Sequence, residues 1–373
     1  MLSNETVWKN EELAVFHLRS LYRARGYRPY KMSKFEEYDL YARNKHFLVS
    51  ENIITFTDTN GKLMALKPDV TLSIIKNSKD VVGSVQKLYY DENVYRVSKG
   101  THAFRELTQV GLECLGEVDD YCIAEVLSLA ADSLAEISPD YVLDVSDLEL
   151  LGAVLDEVGV SADRMAEMIQ CIGEKNVHGA VALASEFGAS AQAIEKLRAI
   201  ATLSGSPETA LDTLRALLPD CKEEIDRLSR VIAALSRHVK KGSVRLDFSV
   251  VNDMSYYNGI VFKGFVRDVP AGVLSGGQYD RLMEKMGRKA KAIGFAVYLD
   301  LLERLGKDVP AFDVDTVLLY DDTTAPEVLA AMAEERIATG ECVVLQRAVP
   351  ENLKYKQLYR VENGEVTLLE THA

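Results

Sequence analysis

Apolar and polar positions along the chain change period several times, and each change marks an element. Residues 8–25 carry Leu13, Phe16, His17 and Leu21 on one helical stripe, with Gly26 as a stop. Tyr27 to Met32 predicts a strand. Two alternating runs, Ile53 to Asp58 and Lys62 to Leu66, flank Thr59-Asn60-Gly61, and Asn-Gly between such runs predicts a hairpin. A helix opens behind Pro68 and Asp69, running from Thr71 through Ile74 and Ile75. Val85 to Tyr90 and Asn93 to Val97 predict two strands, and Phe104 to Leu115 a longer one. From about Asp120 a helix buries Ile123, Val126, Leu127, Ala130, Leu134 and Ile137, and Pro139 ends it.

Between about 150 and 240 the period is helical throughout, with Ser206-Pro207 as a cap and Ile225, Leu228, Ile232, Leu235 and Val239 on one face. No glycine fingerprint, His pair or nucleophile motif lies there, so it reads as a helical insertion whose role is not legible. Strand patterns return at Val244 to Val251 and Ile260 to Val266, followed by Leu274 to Asp280 and Ala292 to Asp300. Gly276-Gly277 permits either a turn or close backbone approach to a ligand or strand. From about Gly306 a strand (Asp315 to Asp321), a helix (Pro326 to Ala338), a strand (Glu341 to Gln346) and a hairpin around Asn363-Gly364 predict a small C-terminal α/β module. The expected domains are therefore 1–306 and 307–373.

Composition narrows the class. At 373 residues with 47% apolar and 27% charged residues, the chain is an ordinary folded protein. Lys plus Arg number 43 against 57 for Asp plus Glu, a formal charge of -14, which repels phosphate backbones and disfavours nucleic acid and anionic membranes as partners. Met1 to Asn10 lacks the basic start and apolar core of a signal peptide, and no apolar run is long enough to span a bilayer. The expectation is a cytoplasmic protein. Cys114, Cys122, Cys171, Cys221 and Cys342 contain no Cys-x-x-Cys pair, so free, mostly packed thiols are expected, with no metal. His46 and His238 read as surface or satisfied core residues, and His102 is the histidine inside a candidate site.

The chemistry concentrates in Phe104 to Leu115. As a strand it sets Arg105, Gln109 and Glu113 on one face, successive members about 13 Å apart, with Gly111 leaving open space between two of them. Such a face holds a small polar ligand or is simply solvated. Asp69 reads as a helix cap, a ligand contact or both, and Tyr256-Tyr257 as strand packing or as a lid over a ring.

Four stretches in this order resemble the core of the class II aminoacyl-tRNA synthetases, histidyl-tRNA synthetase in particular. They are Asp58-x-Asn60-Gly61 with Leu66 to Thr71; Val94-Tyr95-Arg96 with Phe104 to Glu113; Ser255 to Phe262; and Gly276 to Asp280 with Gly294-Phe295-Ala296. The resemblance covers about Glu11 to Leu305. It implies an α+β fold, an antiparallel sheet flanked by helices. It also implies that Asp69, Thr71, Arg105, Gln109, Glu113, Tyr256 and Tyr257 form a histidine-binding pocket.

The same resemblance fails where ATP would be activated. Asn252, Asp253 and Ser255 replace the head of an Arg-Gly-Leu-Asp-Tyr-Tyr motif, Asp300-Leu301 replaces a terminal Glu-Arg, and Ser98 and Ala103 remove further charges. Only Arg96 and Arg105 remain of a cluster that adenylation needs. A synthetase-like core that keeps its amino-acid-binding residues and lacks those that activate ATP resembles the regulatory subunits of ATP phosphoribosyltransferase. That resemblance implies no catalytic residues, no cofactor, a short-form catalytic subunit as partner, self-association as a dimer through Phe35 to Tyr41, and histidine as effector. A divergent histidyl-tRNA synthetase and a scaffold with a vestigial pocket stay open as alternatives.

Overall fold

The computed structural model describes residues 10–44, 53–80, 83–98, 101–237, 239–251, 256–304 and 311–372. His46, His238 and the stretch Asn252 to Ser255 lie outside them. The chain divides into two compact units, Met1–Leu305 and Gly306–Ala373.

The first unit opens with α1 (Asn10–Ala24) and β1 (Arg28–Pro29). β2 (Phe35–Glu37), α2 (Tyr38–Arg43), β3 (Thr55–Thr57) and β4 (Leu63–Leu66) follow, and β2, β4 and β3 make a small antiparallel sheet. The Asn60-Gly61 hairpin forms as expected: Asp58 Oδ1 accepts from the N–H groups of Asn60 and Lys62, each at 2.8 Å. After α3 (Thr71–Asn77) come β5 (Val85–Val97) and β6 (Phe104–Gly116), α4 (Asp120–Ile137) and β7 (Tyr141–Asp147).

The insertion supplies α5 (Leu148–Val158), α6 (Met165–Gly173), α7 (Val177–Glu186), α8 (Ala191–Thr202), β8 (Ser204–Gly205), α9 (Pro207–Leu217) and α10 (Lys222–Leu235). It is helical apart from β8. Ser206 Oγ accepts from the Thr209 N–H at 3.3 Å, with Pro207 in the first turn of α9, so the cap sits where the residues place it. β9 (Val244–Asp247), β10 (Ile260–Val266), β11 (Leu274–Gln278), α11 (Asp280–Lys285), β12 (Lys291–Tyr298) and a 3-10 turn (Leu299–Arg304) complete the unit.

Nine strands form one sheet in the order β1-β5-β6-β12-β11-β10-β7-β9-β8. From β5 to β7 every neighbouring pair is antiparallel. This is the antiparallel sheet flanked by helices that the sequence predicts. α4 packs on one face so closely that a Cβ on Gly264 would sit 2.6 Å from Leu134 Cδ1. The same buried core runs from Leu112, Phe262 and Phe295 through Val126, Leu127 and Ala130 of α4 into Leu150, Leu197 and Leu228 of the insertion. A second core, with Tyr41, Leu72, Ile75, Tyr90 and Tyr279, lies under the candidate site.

Several strands are bounded differently from the pattern: Tyr27 to Met32 shortens to Arg28–Pro29, and two others differ for a cause visible in the side chains. β5 is one continuous strand rather than two, because Asp91 and Glu92 at its centre are paired with Arg19, Lys31 and Lys67 and need no loop to reach water. The Val244 to Val251 strand stops at Asp247, whose side chain accepts from the N–H and hydroxyl of Ser249, at 2.9 and 2.6 Å, and turns the chain. Cys114 and Cys122 are buried, Cys171 and Cys221 partly so, and Cys342 is exposed; all five are free thiols. Among the described residues no helix is long and apolar enough to cross a membrane.

The second unit is a four-stranded sheet of β13 (Val314–Tyr320), β14 (Val343–Gln346), β15 (Tyr355–Glu362) and β16 (Glu365–Thr371), with α12 (Pro326–Ala338). Its order is β14-β13-β15-β16, the first two pairs parallel and the last antiparallel. Leu318, Leu329 and Val361 are its small buried core.

Candidate functional site

Period-two alternation along β6 aims Gln109 and Glu113 at the same face, and both are buried. Arg105, on the same pleat, is exposed near the open end of the β5–β6 ribbon, opposite Arg96. The shared face is therefore real, but it runs from solvent to core within this one strand. The open space expected over Gly111 is filled: Tyr90 stands directly across on β5, and a Cβ on Gly111 would meet the Tyr90 hydroxyl at 2.5 Å and the Phe295 carbonyl at 2.3 Å. Gly111 makes room for a neighbouring tyrosine, not for a ligand.

Glu113 is the centre of the site. Thr71 Oγ1, in the first turn of α3, donates to its Oε1 at 2.7 Å, and the Tyr279 hydroxyl donates to its Oε2 at 2.6 Å. Opposite it on β12, Gly294 has no side chain, and any Cβ there would fall 1.7 Å from Oε2. Burial pushes the Glu113 carboxyl up to about 8; the Tyr279 and Thr71 hydroxyls pull against this and the charge of Asp69 adds to it. Near neutral pH this carboxyl is largely a neutral acid.

Asp69 is half-buried and caps α3, its Oδ1 accepting from the Leu72 N–H at 2.9 Å. Withdrawal from water raises its carboxyl above the ordinary range, against the Leu72 N–H, the Arg96 guanidinium and the Thr71 N–H. Arg96 itself donates from Nε to the Pro68 carbonyl at 3.2 Å. Tyr256 and Tyr257 pack at 4.4 Å between ring centroids, their planes tilted by 54°, and Tyr256 lies 5.8 Å from Tyr279. A Cβ on Gly277 would sit 2.7 Å from Tyr257 Cδ1, so the Gly276-Gly277 pair is a strand segment that lets Tyr257 lie on the sheet.

The structure thus brings Asp69, Thr71, Glu113, Tyr256 and Tyr257 together. Gln109 is buried one step along the same face, opposite Glu92. Tyr279, Tyr90 and Arg96 join them, although the sequence pattern assigns none of the three to the pocket. Tyr279 stands inside the Gly276 to Asp280 stretch, and a tyrosine next to a glycine pair in a strand is the signal that points to it. His102 is exposed in a left-handed turn, φ 53°, outside this cluster. Two buried or half-buried carboxyls, with hydroxyl donors and a tyrosine wall, are chemistry for a small ligand carrying hydrogen-bond donors and a flat ring.

The antiparallel sheet flanked by helices defines the class, a synthetase-like core. A family model described as histidyl-tRNA synthetase matches residues 2–302, and the chain belongs to that family. An ATP phosphoribosyltransferase regulatory subunit from Oceanobacillus iheyensis is 22% identical over 351 residues, 92% of this chain and 86% of its own length. The crystal structure of an ATP phosphoribosyltransferase regulatory subunit/histidyl-tRNA synthetase from Bacillus halodurans has a TM-score of 0.73 at 24% identity, over 90% of this chain and 88% of that one. An ATP phosphoribosyltransferase complex from Thermotoga maritima contains a chain of the same fold, with a TM-score of 0.59 at 20% identity, over 77% of this chain and 96% of that one.

Proposed function

We propose that this chain is a noncatalytic regulatory subunit of ATP phosphoribosyltransferase. It assembles with a short-form catalytic subunit, is required for that subunit's activity, and transmits feedback inhibition by histidine. The observation that carries this reading is the asymmetry of the pocket. Carboxyl and hydroxyl groups gather at Asp69, Thr71 and Glu113, whereas of the two arginines beside them Arg96 is turned onto the Pro68 carbonyl and Arg105 is exposed. Relatives carrying the regulatory-subunit name over most of their length support it.

In this reading Asp69, Thr71, Gln109 and Glu113 hold the ammonium and imidazole of histidine, and Tyr256 and Tyr257 cover the ring. Histidine binding changes the relative stability of two assembly states, and the catalytic subunit responds to that difference. Self-association through Phe35 to Tyr41 belongs to the same proposal; Phe35 is exposed there and packs edge-on against Phe56 at 5.2 Å.

The test is phosphoribosyl-ATP formation by a short-form catalytic subunit with and without this chain, histidine being titrated in. Activation reversed by histidine is the expected result. No activation of a competent catalytic subunit overturns the reading, and histidine-dependent pyrophosphate exchange into ATP then decides for a synthetase. Gln109→Ala should weaken histidine binding by about tenfold through loss of hydrogen bonds to a charged group.

A further inference from the structure

The family match ends at residue 302, so the second unit is outside it and needs its own account. Its sheet is only half covered. α12 packs toward β14, and the buried core stops at Val361 of β15. On β16, Val366 stands opposite Val361 and Leu368 opposite Tyr359, which places both on the face that α12 covers elsewhere. Val361 is fully buried, whereas Val366 and Leu368 are 41% and 51% exposed.

β16 is also an edge. Among the described residues it pairs with β15 alone, and all seven of its residues are exposed. Edge strands are ordinarily protected by charges, lysine above all, or by proline; β16, Glu-Val-Thr-Leu-Leu-Glu-Thr, has no lysine or proline, and no charge between its terminal glutamates. Its ends carry Glu365 and Glu370. The unit as a whole has thirteen Asp and Glu against six Lys and Arg, half the net negative charge of the chain in 68 residues. A second copy would bring two like-charged modules together, and a nucleic acid would be repelled.

We propose that the free edge of β16 docks an extended segment of another protein, rich in lysine or arginine and apolar at alternate positions. The segment adds a fifth strand to the sheet. Its backbone pairs with the open edge of β16, its apolar side chains extend the Val366–Leu368 stripe, and its cations lie on the opposite face, which carries the Glu362–Glu365 pair. This surface belongs to the second unit, and the proposal does not depend on what the first unit binds.

The test uses the full chain and a synthetic peptide alternating valine and lysine, followed by fluorescence anisotropy and by hydrogen exchange. Binding should slow amide exchange in residues 365–371 and weaken as salt is raised. A peptide alternating valine and glutamate should not bind. Val366→Ala with Leu368→Ala, both exposed and so tolerated by the fold, should weaken binding by about tenfold while leaving the charge unchanged. Protection outside β16, or binding indifferent to the double variant, overturns the proposal. So does a chain dimer in sedimentation that the double variant dissociates, because a second copy then occupies the edge.

Discussion

The Tyr279 hydroxyl, delivered from the end of β11, donates to Glu113 Oε2 at 2.6 Å across the intervening strand β12. This bond holds a buried carboxyl whose folded-state value, about 8, lies far above its ordinary 4.5. The folded chain keeps a proton that the unfolded chain releases. Glu113 therefore contributes stability in full below about 4.5, and that contribution is lost as pH rises through about 8. Glu113→Gln should flatten the fall of the denaturation midpoint across that window and raise stability at its alkaline end. An unchanged pH profile would show that Glu113 titrates normally.

Tyr279→Phe acts on the same group in the opposite sense. Removing the donor takes away an interaction that favours the charged carboxylate, so the Glu113 carboxyl moves still higher. The cost is about 1–2 kcal/mol for a buried bond left unmade. Denaturant titrations of the variant at several pH values should show the loss of stability centred at higher pH than in the parent chain.

Gly294→Ala tests how the site is framed. The added methyl would lie 1.7 Å from Glu113 Oε2 and 2.5 Å from the Leu112 carbonyl. The carboxylate is able to swing away, but the carbonyl belongs to the central sheet. The expected result is a loss of about 1–3 kcal/mol from overpacking together with loss of amino-acid binding by calorimetry. Intact binding would mean that Glu113 is not part of the ligand contact.

Lys67 and Glu92 form an ion pair in which both side chains are buried, at 1% and 8% exposure. Lys67→Met leaves the Glu92 carboxylate with only the exposed Lys31, 3.4 Å from its Oε1, as charge partner and should cost about 3 kcal/mol. Adding Glu92→Leu should restore most of it, because an apolar pair avoids desolvating two charges. A double variant as unstable as the single one would locate the damage elsewhere, in packing around Lys67.

Much of the fold was legible because local chemistry and tertiary demand agree. Asn60-Gly61 and Asn363-Gly364 mark their hairpins, and Ser206-Pro207 marks the start of α9. What was not legible depends on partners distant in sequence. Asp91 and Glu92 break the apolar run of β5, and only Arg19, Lys31 and Lys67, more than twenty residues away, make the strand continuous. The space over Gly111 looked open because nothing within β6 reveals that the register with β5 sets Tyr90 there. Alternation assigned Arg105, Gln109 and Glu113 to one face correctly, yet it carries no information about depth.

That difference in depth separates the two arginines at the rim of the site. Arg96 lies close enough to Asp69 to oppose the rise of its carboxyl, whereas Arg105 is exposed. Arg96→Ala removes the cation and should raise the Asp69 carboxyl further, weakening the binding of an ammonium ligand most at low pH, where Asp69 is then protonated. Arg105→Ala should change histidine affinity by less than about twofold, as expected for an exposed side chain. Calorimetric titration of both variants at two pH values distinguishes them, and an Arg105→Ala loss as large as that of Arg96→Ala would place the ligand further along β6 than Gln109.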